Sequence, residues 1–208
     1  VNHFATIMRF PKCLCLFGLL SLATQVVAAP IPDLRDGDII FHTSRSTQSL
    51  AVQRATGSSY SHMGIIFIRD GKPHVFEAIS TVSYTPIDRW IARGLKGEFA
   101  LKRLRKPLNS DQIKALRLAA DKFKNKPYDL TFEWSDSHIY CSELVWKLYK
   151  RALDIQIGDL QKLQEFHLTD PAVQAKLQER YGTKIPLEEP VISPIAMFQS
   201  PLLITLTE

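Results

Sequence analysis

Apolar residues follow two different periods along this chain of 208 residues, and the period changes near its middle. In the first part they form short runs bounded by Gly, Asp and Ser: Ile39-Ile40-Phe41 after Asp36-Gly37-Asp38, Tyr60 to Ile68 after Gly57-Ser58-Ser59, Val75 to Ile79, and Phe99 to Leu104. Such runs predict strands. Later the spacing is helical. Ile113, Leu116, Ala120 and Phe123 make one face of a helix from Asn109 to Phe123, opened by an Asn109/Gln112 capping box. Pro171 to Tyr181 predicts another helix, with a first-turn proline and Gly182 at its end. A shorter helix over Gln48–Ala55 interrupts the strands, and the proline-bearing tail is irregular but packs on the core through Val191-Ile192. Strands first and helices afterwards imply an α+β domain with a small antiparallel sheet.

The strongest helical pattern is Cys141, Leu144, Val145, Leu148, Tyr149 and Ala152, one apolar face over three turns. Glu143 in its first turn and Lys147, Lys150 and Arg151 toward its end match the helix dipole. Cys141 is therefore a first-turn residue on the inward side, where free amides and the positive dipole end favour thiolate. A small buried hydrophobe explains the same position equally well.

A hairpin supplies a partner. Asp70-Gly71 between two apolar runs is a two-residue turn signal, which sets Arg69 opposite Lys72. In that register His62 and Glu77 are diagonal neighbours on one face, about 7–8 Å apart at the backbone. A carboxylate beside a histidine fixes its tautomer and stabilises the imidazolium. A register slip of one residue would put the two on opposite faces.

The N-terminus changes the setting. Arg9 and Lys12 precede an apolar run from Cys13 to Leu20, and Val26 and Ala28 suit a cut after Ala28, so residues 1–28 read as a secretory signal with its start at Met8. That leaves residues 29–208 as a single domain, exported and periplasmic where the cell has an outer membrane. Cys13 and Cys15 leave with the signal, and Cys141 becomes a lone thiol in an oxidising compartment. No segment after the signal is long and apolar enough to span a bilayer. The formal net charge is only +5, two of those positive charges lie in the signal, and Lys102-Arg103-Leu104-Arg105-Lys106 reads as a solvated strand end, so no nucleic-acid partner is expected. His42, His74, His138 and His167 show no metal-ligand spacing and read as surface or loop residues, His138 being the one nearest the pocket. A P-loop and a GxSxG elbow are both missing. No metal or organic cofactor is called for.

Taken together, Ser61-His62-Met63-Gly64-Ile65, Val75-Phe76-Glu77-Ala78, Lys126-Pro127-Tyr128-Asp129 and Tyr140-Cys141-Ser142-Glu143-Leu144-Val145 resemble the permuted papain-like enzymes of the NlpC superfamily, nearest to their YiiX group. The resemblance spans Gly37 to Pro194. The histidine strand precedes the cysteine helix, the reverse of unpermuted relatives. It implies a permuted papain-like (NlpC-type) fold, Cys141 as nucleophile, His62 as general base, Glu77 as orienting acid, and a cysteine peptidase or amidase activity. The expected substrate is a small peptide, amide or lipid-like molecule, with cell-wall peptide first. A lipid-directed acyl hydrolase or acyltransferase and a silent binding module of the same fold are the alternatives. Tyr140, Gln48 and Ser44 are the polar neighbours offered for the oxyanion hole, each with a structural role as the simpler account.

Overall fold

The computed structural model describes residues 33–208, so the segment read as a signal lies outside the described residues. The turn at Asp70-Gly71 has φ of 49° and 71°. Positive φ at both central residues gives the twist that two-stranded hairpins need. It joins β2 (His62–Arg69) to β3 (Lys72–Ala78), and the pairing Arg69↔Lys72 continues through Ile65↔Phe76, the register predicted from the turn. β1 (Ile39–His42) pairs with the other edge of β2, placing His42 opposite His62. β4 (Val82–Pro86) follows β3, and β5 (Ala100–Leu104) follows β1 in space. The edge strand β8 (Leu203–Thr207) completes an antiparallel sheet of order β4-β3-β2-β1-β5-β8.

Both sheet faces are covered. Ile39, Phe41, Met63, Ile65 and Phe67 pack with Leu116 and Ala120 of α3 (Ser110–Phe123) and with Leu144 and Leu148 of α4 (Cys141–Leu153). The alternate residues Ile40, Ile66, Val75 and Leu101 meet Trp90 of α2 (Ile87–Arg93). α1 (Thr47–Thr56), capped by Ser46, contacts α5 (Pro171–Tyr181) beside the sheet. The short strands β6 (Gln161–Lys162) and β7 (Pro190–Val191) form a separate ribbon, and α6 (Pro194–Phe198) follows it. Among the described residues no helix is long and apolar enough to cross a membrane.

Three regions differ from expectation. β4 and α2 are absent from the sequence reading because Thr81 to Arg93 packs a five-residue strand directly onto a seven-residue helix, too short for either period to show. The tail supplies a helix and an edge strand, not only an irregular wrap. The basic cluster is not a free strand end: Lys102 is buried with its ammonium 4.0 Å from the Phe198 ring centre, and Arg103 is tied to Asp38 at 2.6 Å.

Candidate active site

His62 opens β2 and Glu77 is next to last in β3, so both stand at the same end of the sheet. One step beyond the last pair, Ile65↔Phe76, residue 64 faces Glu77 and is glycine. A Cβ there would meet Val75 Cγ1 at 2.4 Å and Phe76 O at 2.9 Å. Without that side chain the strands close, and the imidazole reaches diagonally to the carboxylate: His62 Nε2 and Glu77 Oε2 are 2.6 Å apart.

Glu77 is fully buried and surrounded by donors from three elements. Trp90 Nε1 donates to Oε2 at 2.9 Å and Thr85 Oγ1 to Oε1 at 2.5 Å, while the Arg93 guanidinium also donates to Oε1. Burial alone would raise its pKa, but the bonds from His62 and Thr85 and the charges of His62 and Arg93 hold it below the ordinary value of 4.5. Burial likewise opposes a charge on His62. The hydrogen bonds and charges of Cys141 and Glu77 outweigh it, pushing the imidazole up from 6.5 to about 9. Glu77 takes Nε2, which leaves Nδ1 for the thiol.

Cys141 is the first residue of α4 and is buried. The helix is buried on all sides through Tyr149, more than the single apolar face expected, and it carries Glu143 and Lys147 inside with Nζ 2.6 Å from Oε1. Its start is held by the tail: Ser142 Oγ donates to Ile192 O at 2.8 Å, and Ile192 N donates to Tyr140 Oη at 3.1 Å. The motif Lys126-Pro127-Tyr128-Asp129 threads between these parts. Tyr128 N donates to Ser80 O at 3.0 Å, and Asp129 N to Ile139 O at 3.2 Å. The segment thereby brings Tyr128 beside Cys141, both on the wall of one cavity. Gln48 Nε2 donates to Tyr128 Oη at 2.8 Å, so the phenol keeps its own hydrogen free to donate. Burial, then the neighbouring Cys141, raises the phenol far above 10, and it stays protonated.

Tyr128 is the polar group that sequence reasoning passed over as a site residue. Its signal was the motif itself, four residues with no helical or strand period. Of the three oxyanion candidates, Gln48 serves Tyr128 and the Ser44 hydroxyl turns to Ser46 Oγ at 3.3 Å, while Tyr140 Oη accepts from Ile192 N and, like Tyr128, keeps its own hydrogen. His42, expected at the surface, is 2 % exposed: β1 continues one residue further and stacks its ring on Trp90 at 3.9 Å, with the His62 ring 5.3 Å away. Burial first, then the charges of His62 and Arg93, lowers it to about 3, so it is a neutral spacer. His138 is exposed and belongs to neither cavity beside the site, because residues 135–138 turn outward before the chain enters α4. His74 and His167 stay away from the site.

The strands that carry His62 and Glu77 precede in the chain the helix that carries Cys141. Residues 33–207 fit the family model described as permuted papain-like amidase enzyme, YaeF/YiiX, C92 family. The chain belongs to that family. It is 52% identical over 172 residues to the uncharacterized protein YiiX of Escherichia coli (strain K12), covering 83% of this chain and 85% of that one. It also matches a crystal structure described as the metalloprotein yiiX from Escherichia coli O157:H7, with a TM-score of 0.82 and 51% identity over 84% of this chain and 97% of the other. Family and fold thus agree with the resemblance read from the four motifs.

Proposed function

We propose that this chain is an exported cysteine hydrolase that cleaves an amide bond through Cys141, His62 and Glu77. The observation that carries the reading is the 2.6 Å contact from His62 to a carboxylate satisfied by four donors, with Cys141 acting on the same ring. Glu77 orients the ring and stabilises the imidazolium that forms when neutral His62 takes the thiol proton, and the thiolate attacks the carbonyl carbon. The Cys141 amide and the Tyr128 hydroxyl hold the developing oxyanion. His62 returns the proton to the departing amine, and the same ring then activates the water that releases the acid.

The name metalloprotein belongs to the solved relative. In this chain no group of three or more His, Cys, Asp or Glu side chains converges on a metal position among the described residues. His62 Nε2 and both Glu77 oxygens are already committed to one another and to Thr85, Trp90 and Arg93. These residues do not fit an ion, and no step of the mechanism runs through one.

Two measurements test the reading. Iodoacetamide at about pH 6 should alkylate native protein at Cys141, where an ordinary thiol of pKa ~8.5 is almost wholly protonated. His62→Ala should slow that labelling strongly and Glu77→Gln less; a Cys141 that labels only after denaturation overturns the nucleophile. Peptidoglycan fragments and a lipid extract, each beside a Cys141→Ala control, then address the substrate. Cys141-dependent release of amine or peptide supports amide cleavage and the cell-wall setting, and release of fatty acid alone moves the activity to lipids.

A further inference from the structure

Arg93 is the last residue of α2, and its guanidinium does more than a counter-ion for Glu77 needs to do. It donates to Glu77 Oε1, and it also forms part of the wall of the cleft that holds His62. The side chain is 39% exposed, whereas its Nε is buried and has no hydrogen-bond partner among the described residues. A guanidinium carries five N–H donors in a planar fork, and the bond to Glu77 uses only part of it.

The rest of the cleft has matching chemistry. Its wall carries the hydroxyls of Ser44, Ser46 and Ser80 and the buried ring of His42, whose Nδ1 also lacks a partner among the described residues. No Asp or Glu lines it among those residues. Glu77 lies behind the wall, fully buried, with both oxygens committed. The cleft is about 430 Å³, against about 150 Å³ for a cavity that admits benzene, so a group the size of an amino acid enters together with water.

Position gives the cleft its part in the reaction. His62 and Arg93 are bridged by the two oxygens of one carboxylate, so imidazole and guanidinium stand close together. The half of the substrate that departs receives its proton from His62, which puts that half on the histidine's side. We infer that the leaving half carries an oxyanion, carboxylate or phosphate, a few bonds from the leaving atom, and that Arg93 recognises it in the cleft beside His62. The inference rests on the Cys141 and His62 chemistry proposed above. Arg93 is thereby a specificity-determining residue. It keeps its charge while His62 gains and loses a proton, and its fork suits either oxyanion. A cationic leaving group would meet two positive groups and no acid.

The test needs no turnover. Native protein is alkylated at Cys141 by iodoacetamide in the presence of paired acetamides that differ in one anionic group: N-acetylglycine beside N-acetylglycinamide, and N-acetyl-O-phosphoethanolamine beside N-acetylethanolamine. In at least one pair the anion should half-protect Cys141 at about tenfold lower concentration than its neutral partner, the size of one screened charge pair. An advantage confined to the first pair assigns amino-acid leaving groups, and one confined to the second assigns phosphorylated ones. Arg93→Gln should erase the difference, and Arg93→Lys should keep part of it. An advantage that survives Arg93→Gln belongs to the His62 imidazolium and overturns the role of Arg93. Where Arg93→Gln loses labelling altogether through its bond to Glu77, Ser80→Asp decides. That variant sets a negative charge on the exposed rim of the cleft and leaves the donors of Glu77 in place. It should remove the anion's advantage with little change in the labelling of unprotected protein, and an undiminished advantage overturns the site. Equal protection within both pairs, or no protection by any of the compounds, overturns it as well, while labelling of native Cys141 keeps the nucleophile standing. A Cys141 that labels only after denaturation overturns the nucleophile, and this inference falls with it.

Discussion

Glu77 and Glu143 are both fully buried, yet their surroundings drive them in opposite directions. Glu77 sits under α2 with four directed donors and is held below 4.5. Glu143, in the first turn of α4, has the Tyr140 amide at 3.3 Å and the Lys147 ammonium, which also serves Asp136 and Ser135 O. Burial dominates there and lifts it to about 7, against the pull of Lys147. The difference teaches that depth alone decides nothing about a buried carboxylate. Each donor aimed at an oxygen offsets part of the desolvation, and only the residue beside His62 has enough of them to remain charged without effort at neutral pH.

The comparison breaks most visibly at Glu77. Glu77→Ala leaves His62 and Arg93 without their acceptor, and it should cost about 3–5 kcal/mol in denaturant unfolding together with about 10²–10⁴-fold in turnover. Glu77→Gln keeps the shape and one acceptor oxygen, but its NH2 faces two donors, so it should recover only part of the stability and little of the rate. A Glu77→Ala protein with full stability would show that the four donors do not matter.

Gly64→Ala attacks the same contact through the backbone. The added methyl meets Val75 and Phe76, and the strands must part beneath His62 and Glu77. The expected loss is about 1–3 kcal/mol, with slower alkylation of Cys141 at mildly acidic pH. Unchanged alkylation would mean that the diagonal contact survives strand separation.

The pH dependence separates the two carboxylates by sign. Glu77 is depressed, so its contribution is present above 4.5 and is lost as pH falls through its folded value. Glu143 is raised, so its contribution is full below 4.5 and is lost as pH rises through about 7. His62 is raised as well: the stability it adds is complete below 6.5 and disappears as pH climbs through about 9. The stability gap between wild type and His62→Gln should therefore shrink from pH 6.5 to 9, while Glu143→Gln gains on wild type from pH 4.5 to 7. Parallel unfolding curves across both windows would contradict these assignments.

The smallest effect belongs to Glu143→Gln at pH 8, expected within about 1 kcal/mol of wild type and with unchanged activity, since Lys147 keeps Asp136. A loss as large as that of Glu77→Ala would erase the distinction between the two sites.

Much of the site was legible because it rests on local periodicities. The turn chemistry of Asp70-Gly71 determined a register, the register put His62 and Glu77 on one face, and the 3.6-residue spacing from Cys141 to Ala152 placed the thiol at a helix start. The glycine opposite Glu77 was in plain view, but its purpose needed the paired strand. What only the tertiary structure decided is how these parts are surrounded. Trp90 and Arg93 lie on a helix too short to show a period, Tyr128 on a loop with none, and His42 on a strand one residue longer than its apolar run. Their roles depend on contacts between residues distant in the chain: Gln48 to Tyr128, Arg93 to Glu77, Ser142 to Ile192. Periodicity reports which side of an element is buried, because burial repeats with the backbone's own geometry. Which polar groups meet once it is buried follows from packing, and packing leaves no repeat in the sequence to be read.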